Sequence, residues 1–290
     1  MSLVQKKSQY KRYTRSRFGS ACIFVFLTIM GLVSVLPMIY CVCTAFKPLD
    51  ELLVFPPRFF VHRPTLENFA VLPSLLSDLH VPLSRYIFNS FFVTIIATAL
   101  QIVVSSAAAF VFSKTKVKGR MVIFLIVQFS LLYNAYTLAI PQYLIFNWMN
   151  IIDTYWVYIL PAIPSSMGVF LIKQYMDSSV PDTLIEAAKI DGASLFRTYG
   201  SIVMPITKPA WMTLLLFAFQ HMWSTTQSGV IFSEELKTLP YVMSSVTAGG
   251  IARAGAAMAI TVILMIPPVA VYFISQSNVM ETMSTAGMKG

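Results

Sequence analysis

The residues best suited to specific chemistry lie together in one polar stretch, VPDTLIEAAKIDGASLFRTYGSIVMPITKP, at positions 180–209. Leu184, Ile185 and Ala188 share one face of a helix beginning at Thr183, which Ser179 or Asp182 could cap. Gly192 permits a sharp turn. Ser194 can cap a second helix carrying Leu195, Tyr199 and Ile202, and Pro205 and Pro209 end it. Ala187 and Ala188 remove side-chain bulk, while Glu186 and Asp191 place charge beside that bare patch. The chemistry this suits is recognition, with a short charged helix seated in a partner's groove. An amphipathic connector lying on a lipid surface is the other reading of the same pattern. Metal and catalytic chemistry have little support: His62, His80 and His221 have no ligand spacing, no paired carboxylates share a span, and no nucleophile motif occurs. Cys22, Cys41 and Cys43 lie in one apolar run without C-x-x-C spacing and read as small apolar side chains. The chain has no G-x-x-x-x-G-K-[ST] phosphate loop, so it does not supply ATP hydrolysis by that route.

The elements that must hold this stretch are apolar. Hydrophobic residues make up 57% of the chain and charged residues 11%, with mean hydropathy +0.71. A soluble domain carries about 25% charged residues, so lipid is the natural solvent here. The net charge of +9 comes from short segments beside apolar runs, and no nucleic-acid-binding motif is present. Charge-free windows run over 18–46, 86–113, 121–152, 154–172, 209–233 and 254–280. Each approaches or exceeds the roughly 20 residues that cross a hydrocarbon core, and helices are required because a backbone in lipid must bond to itself. The first window is longer than the roughly 7–15 apolar residues of a signal peptide and reads as a retained span.

The expected fold is therefore an all-α integral membrane protein of about six spans. A basic tail, 1–17, precedes a membrane domain, 18–275, with spans at 18–43, 86–112, 121–140, 155–173, 209–225 and 256–275. The polar segment 177–208 joins the fourth and fifth spans, and 276–290 forms a C-terminal tail. Pro141 and the polar residues 147–150 suggest that the third window spans and then continues as a re-entrant or surface segment. Pro161 and Pro164 should kink the fourth span. With the N-terminus inside, inner segments hold 15 of the 21 Lys and Arg residues, which favours both ends in the cytoplasm.

Glu186-Ala187-Ala188, Asp191-Gly192-Ala193, Ile202 and Pro205, with Pro181 five positions before Glu186, resemble the EAA signature of binding-protein-dependent ABC importer permeases. The E-A-A-x-x-D-G-A-S form is most similar to the carbohydrate type, in particular the maltose-type second permease subunit. The tail from Ser284 to Gly290 resembles the T-A-G-x-x-K-G ending of that subfamily. The resemblance implies a multi-pass permease of the bacterial inner membrane, not an enzyme, working with a second permease subunit as a heterodimer. It also implies a dimer of separate ATPase subunits that binds the ATP, and an extracellular solute-binding protein that delivers a sugar. Carried over, Glu186 pairs with a basic residue of the ATPase, Ala187 and Ala188 pack in its cleft, Gly192 makes the turn, and Asp191, Ala193 and Pro205 complete the coupling segment. Gly287, Lys289 and Gly290 would reach towards the ATPase. Family members often carry W-N and an aromatic after the fifth span, whereas Trp223 is followed here by Ser224, Thr225 and Thr226. The other readings are an importer permease for a peptide, phosphate or polyamine, and a membrane-embedded enzyme or scaffold.

Polar groups at membrane depth are the remaining candidates, because lipid tolerates them only where they face protein or water. Gln101, Asn134, Gln220 and Trp223 could line a translocation path; Gln128 and His221 lie at similar depth. Trp223 equally suits an interfacial aromatic belt. Ser90, Thr94, Ala97, Gln101, Ser105 and Ala108 form one small, polar face that reads first as a helix-packing face.

Overall fold

The computed structural model describes residues 17–76, 80–133, 135–227 and 229–287, and among these every regular element is helical. Helix α1, Arg17–Ala45, is followed by three short outer helices, α2 (Leu49–Leu52), α3 (Glu67–Ala70) and α4 (Leu72–Leu75). The long α5, Leu83–Lys114, leads to α6, Arg120–Phe129, and α7, Ala135–Trp148. Next come α8 (Trp156–Ala162), α9 (Ser166–Ser179), α10 (Asp182–Ile190) and α11 (Leu195–Arg197). A π-helical turn, Thr198–Val203, and α12, Met204–Ile206, connect to α13, Lys208–Trp223. Helices α14, Leu239–Thr247, and α15, Ala254–Gly287, complete the chain.

Four stretches are long and apolar enough to span alone: Phe18–Ala45, Leu83–Lys114, Trp156–Ser179 and Ile251–Thr282. Two further helix pairs are apolar enough to span together but bend sharply, as a broken span or a re-entrant segment does: Arg120–Leu132 meets Thr137–Trp148 at 113°, and Leu195–Ile206 meets Lys208–Trp223 at 80°. The third expected span, 121–140, differs most. Its first helical stretch ends at Leu132 and the next begins at Ala135, ahead of Pro141, which sits inside α7. Ser130 closes α6 with a 3-10 turn, donating from Oγ to the Val127 carbonyl at 2.6 Å and sharing a hydrogen with Ser166 Oγ at 2.5 Å.

The fourth span breaks at 163–165, beside Pro164, and then runs on to Ser179, beyond the expected end at 173. An ion pair between Lys173 and Asp177 one turn later supports that extension. The helix that carries the sixth span continues to Gly287, through much of the expected tail 276–290. Thr213 donates to Thr282 at 3.1 Å and Tyr175 to Glu281 at 3.4 Å, tying this extension to α13 and α9.

Helix α5 contributes to all three apolar cores. Tyr86 joins α14 and α15; Val93 and Ala97 join α8 and the end of α13; Ile102, Ala109 and Phe110 join α9, Val203 and the start of α13. Helix α1 packs along α15 and leaves its apolar side chains open, Phe24 being 71% and Leu32 64% exposed. Such a surface requires hydrocarbon as its solvent.

The end of the bundle where α5 begins is closed by polar contacts. Asn89 is fully buried; its amide donates to the carbonyls of Glu235 at 2.7 Å and Lys237 at 2.8 Å, and its oxygen accepts from the Tyr155 hydroxyl at 2.7 Å. Ser90 Oγ accepts from the Leu239 amide at 2.7 Å, and Asp153 accepts from the amides of Phe232 and Ser233 at 2.9 Å. Asn89→Ala removes an amide that satisfies two loop carbonyls, each costing roughly 1–3 kcal/mol when orphaned in a buried setting. The expected outcome is a rise of about tenfold or more in trypsin cleavage after Lys237, since 1.4 kcal/mol is a factor of ten. Membrane insertion should be unchanged, and cleavage at the wild-type rate would show that the loop is held by other contacts.

Candidate functional site

Helix α10 starts at Asp182 with Pro181 as its N-cap, φ −65°, a geometry proline supplies without a side-chain cap. The expected cap from Ser179 or Asp182 does not form: Ser179 is the last residue of α9, and the Asp182 carboxylate accepts from Lys114 Nζ at 2.7 Å. The far end of α10 carries a complete Schellman closure. The Gly192 amide bonds to the Lys189 carbonyl at 3.1 Å and the Ala193 amide to the Ala188 carbonyl at 2.9 Å. Gly192 takes φ +76°, where other residues are strained. Ser194 then caps α11, its side chain accepting from the Arg197 amide at 3.3 Å.

This segment presents a mixed charged and apolar tip. Glu186, Ala187, Lys189, Asp191 and Gly192 are exposed, Ala193 is half-buried, and Pro205 is exposed on α12. Ala188 does not share the outward position expected for it: it is buried at 6% exposure, beside Ile185, which packs on the core shared by α5, α9 and α13. Helical geometry sets this, because residues 185 and 188 are three apart and turn to the same side. The apolar projections are instead Ile190, 85% exposed, Leu195, 66%, and Phe196, 89%. The sequence signal for Phe196 is weak: an aromatic two residues after a cap, off the periodic line of Leu195, Tyr199 and Ile202.

The back of the segment is anchored. Lys114, at the end of α5, donates to the Val180 carbonyl at 2.6 Å as well as to Asp182. Ser113 donates to Asp177 at 2.5 Å, and Tyr199 and Ser106 hydroxyls lie 2.7 Å apart. The Lys114 hydrogen bond and charge hold the Asp182 carboxyl below its usual 3.8. The charged tip thus rides on a fixed base at the end of the bundle away from the Asn89 loop.

The expected path residues are not gathered into one site. Gln101 and Gln128 are half-buried, Gln220 and His221 are exposed, and Asn134 lies outside the described residues. Trp223 leaves neither a free ring face nor a place in an aromatic belt. It is 4% exposed, its indole N–H donates to the Leu264 carbonyl at 2.9 Å, and Phe219 and Phe91 cover its ring. Of the small polar face on α5, Ser90, Thr94, Ala97 and Ser105 are buried. A β-carbon on Gly168 of α9 would approach Ser105 Oγ to 2.9 Å, so α5 and α9 pack backbone to side chain there. Gly287 ends α15, and Lys289 and Gly290 lie outside the described residues.

The family model described as binding-protein-dependent transport system inner membrane component matches residues 101–284, which includes the whole anchored tip and its base. The chain belongs to that family. Among similar proteins, the polygalacturonan/rhamnogalacturonan transport system permease protein YtcP of Bacillus subtilis is 25% identical over 303 residues, covering 95% of this chain and 100% of YtcP. The sulfoquinovosyl glycerol transport system permease protein SmoH of Agrobacterium fabrum is 28% identical over 277 residues, covering 94% and 95%. A chain from the crystal structure of a bacterial ABC transporter involved in the import of the acidic polysaccharide alginate has the same fold. Its TM-score is 0.76 at 21% identity, with 91% of this chain and 98% of that chain covered. As an inner membrane component of such a transport system, the chain works with other ABC transporter subunits.

The depressed Asp182 carboxyl gives a signed pH dependence. Its contribution to holding α10 is complete above the ordinary carboxylate value of 3.8 and is lost as pH falls through the lower folded value. Amide hydrogen exchange in α10, measured from neutral to strongly acidic pH and corrected for intrinsic rates, should accelerate only at the acid end. Protection that is independent of pH would refute the pairing with Lys114.

Proposed function

We propose that this inner membrane component is a permease subunit that carries a sugar or oligosaccharide into the cell, driven by ATP hydrolysis on a separate subunit. The observation carrying this reading is the tip formed by Glu186, Ala187, Ile190, Asp191, Leu195 and Phe196, exposed at its face and fixed at its base. Exposed aromatic and apolar groups around a charge suit a protein groove better than water. The tip seats in the ATPase, with Glu186 against a basic residue and the Schellman turn at Gly192 setting its shape. ATP is bound by that partner and no cofactor by this chain.

The basic residues Lys114, Lys116, Lys118 and Arg120 lie at the same end as the tip, which favours that end as cytoplasmic. The loop pinned by Asn89 then faces outward, towards a solute-binding protein. A second, similar permease subunit completes the path as a heterodimer, and Gly287, Lys289 and Gly290 extend the C-terminus towards the ATPase. A sugar cargo is supported by the names of relatives, which include the galactooligosaccharides transport system permease protein GanQ of Bacillus subtilis, 26% identical over 288 residues. A non-sugar solute is favoured by one relative, the sn-glycerol-3-phosphate transport system permease protein UgpE of Yersinia enterocolitica, 25% identical over 261 residues.

Glu186→Lys and Gly192→Asp should each abolish uptake while leaving the chain inserted in the membrane. Gly192→Asp places a side chain at a left-handed turn position, where glycine is favoured, and adds a charge to the tip. Both variants should lose co-purification with the ATPase subunit. Wild-type uptake and co-purification in both would overturn the assignment of the tip. Uptake by cells of a panel of labelled oligosaccharides and glycerol phosphate distinguishes the two cargo classes.

A further inference from the structure

The anchoring side chain at the base of the tip is unusual in its burial. Only 5% of the Lys114 side chain is exposed, whereas its partner Asp182 is 79% exposed. The buried cation is therefore the group that depends on the pair, and it also draws on the Val180 carbonyl. Three helix ends meet on this one nitrogen: the C-termini of α5 and α9, whose dipoles favour a cation, and the acid-bearing start of α10. Ser113 and Asp177, and Ser106 and Tyr199, add parallel links between α5 and the segments on either side of α10. At its other end the same helix carries Asn89 and Ser90, which hold the outer loop. One continuous helix of 32 residues thus joins the base of the docking tip to the outer loop.

We propose that Lys114 is a positioning residue through which displacement of α10 is passed to α5 and so to the opposite end of the bundle. This rests on the reading of the tip as the ATPase contact. Packing alone joins α5 to α10 loosely, because most of α10 is exposed; the ammonium supplies a short, directional link that resists separation.

The test uses the complete transporter in lipid, with Cys22, Cys41 and Cys43 replaced by alanine. One spin-label pair at Lys189 and Met280 reports on the tip, and another at Phe88 and Ile251 reports on the far end of α5; all four positions are exposed. Distances are measured before and after trapping with ATP and orthovanadate. In the wild-type background both pairs should shift, by on the order of 1–2 Å or more, the scale of helix shifts in switching proteins. With Lys114→Met the tip pair should still shift while the far pair stays fixed, and Lys114→Arg should restore the far shift. A far shift that survives Lys114→Met overturns the proposal. Loss of both shifts in that variant also overturns it, because Lys114 would then hold assembly or fold. If neither pair moves in the wild-type background, it is the reading of the tip as the ATPase contact that fails.

Discussion

A backbone surrounded by hydrocarbon must satisfy its own hydrogen bonds, and nearly everything in this molecule follows from where that requirement is relaxed. Through the apolar windows the chain is helical and its side chains are held by packing. Where helices end, four carbonyls or amides at each terminus need other partners. The structure meets that need with side chains and with one backbone turn. Lys114 serves the α9 terminus, the Schellman turn serves α10, Ser194 serves α11, and Trp211 donates its indole N–H to the Met204 carbonyl at 3.1 Å beside the bend into α13. Directional chemistry is therefore concentrated at helix ends, and so is the surface available to partners.

What could be read from the residues follows the same division. The turn at Gly192, the cap at Ser194 and the break near Pro164 were legible because each is decided by local backbone chemistry. The number and order of apolar segments were legible because lipid imposes a length. The break between α6 and α7 was not, since Pro141 marked the wrong place: the change of direction sits by Ser130 and Tyr133, where a hydroxyl contact to Ser166 on another helix supports it. The length of α15 was hidden for a related reason, because its extension is held by Thr213 and Tyr175, distant in sequence.

The candidate site shows the limit more sharply. Composition singled out Ala187 and Ala188 as one bare patch, yet the helix turns Ala188 inwards and leaves Ala187 out. Phe196 was passed over because an apolar residue in an apolar protein carries no contrast. Trp223 looked available because a tryptophan near a span end suits both a sugar and a membrane interface, but the neighbouring Phe91 and Phe219 close it off. From the sequence Lys114 counts only among the basic residues of an inner segment, and Asn89 carries no signal of its own. Their roles depend on Asp182, Val180, Glu235 and Lys237, residues 66 to 148 positions away.

The two connections leaving the tip differ in kind. Towards α5 and α9 it is joined by short hydrogen bonds, including one to a buried cation. Towards α13 the chain passes through a π-helical turn and an 80° change of direction at Thr207. A π turn closes its hydrogen bonds over one more residue than an α-helix and is one of the recognised sites of sharp helix kinks. Thr207 is fully buried and its hydroxyl donates to the Val203 carbonyl at 2.9 Å, so the bend is supported without a continuous helix. The tip is thus bonded directly to the end of α5 through Lys114 and joined to α13 across a bend at Thr207.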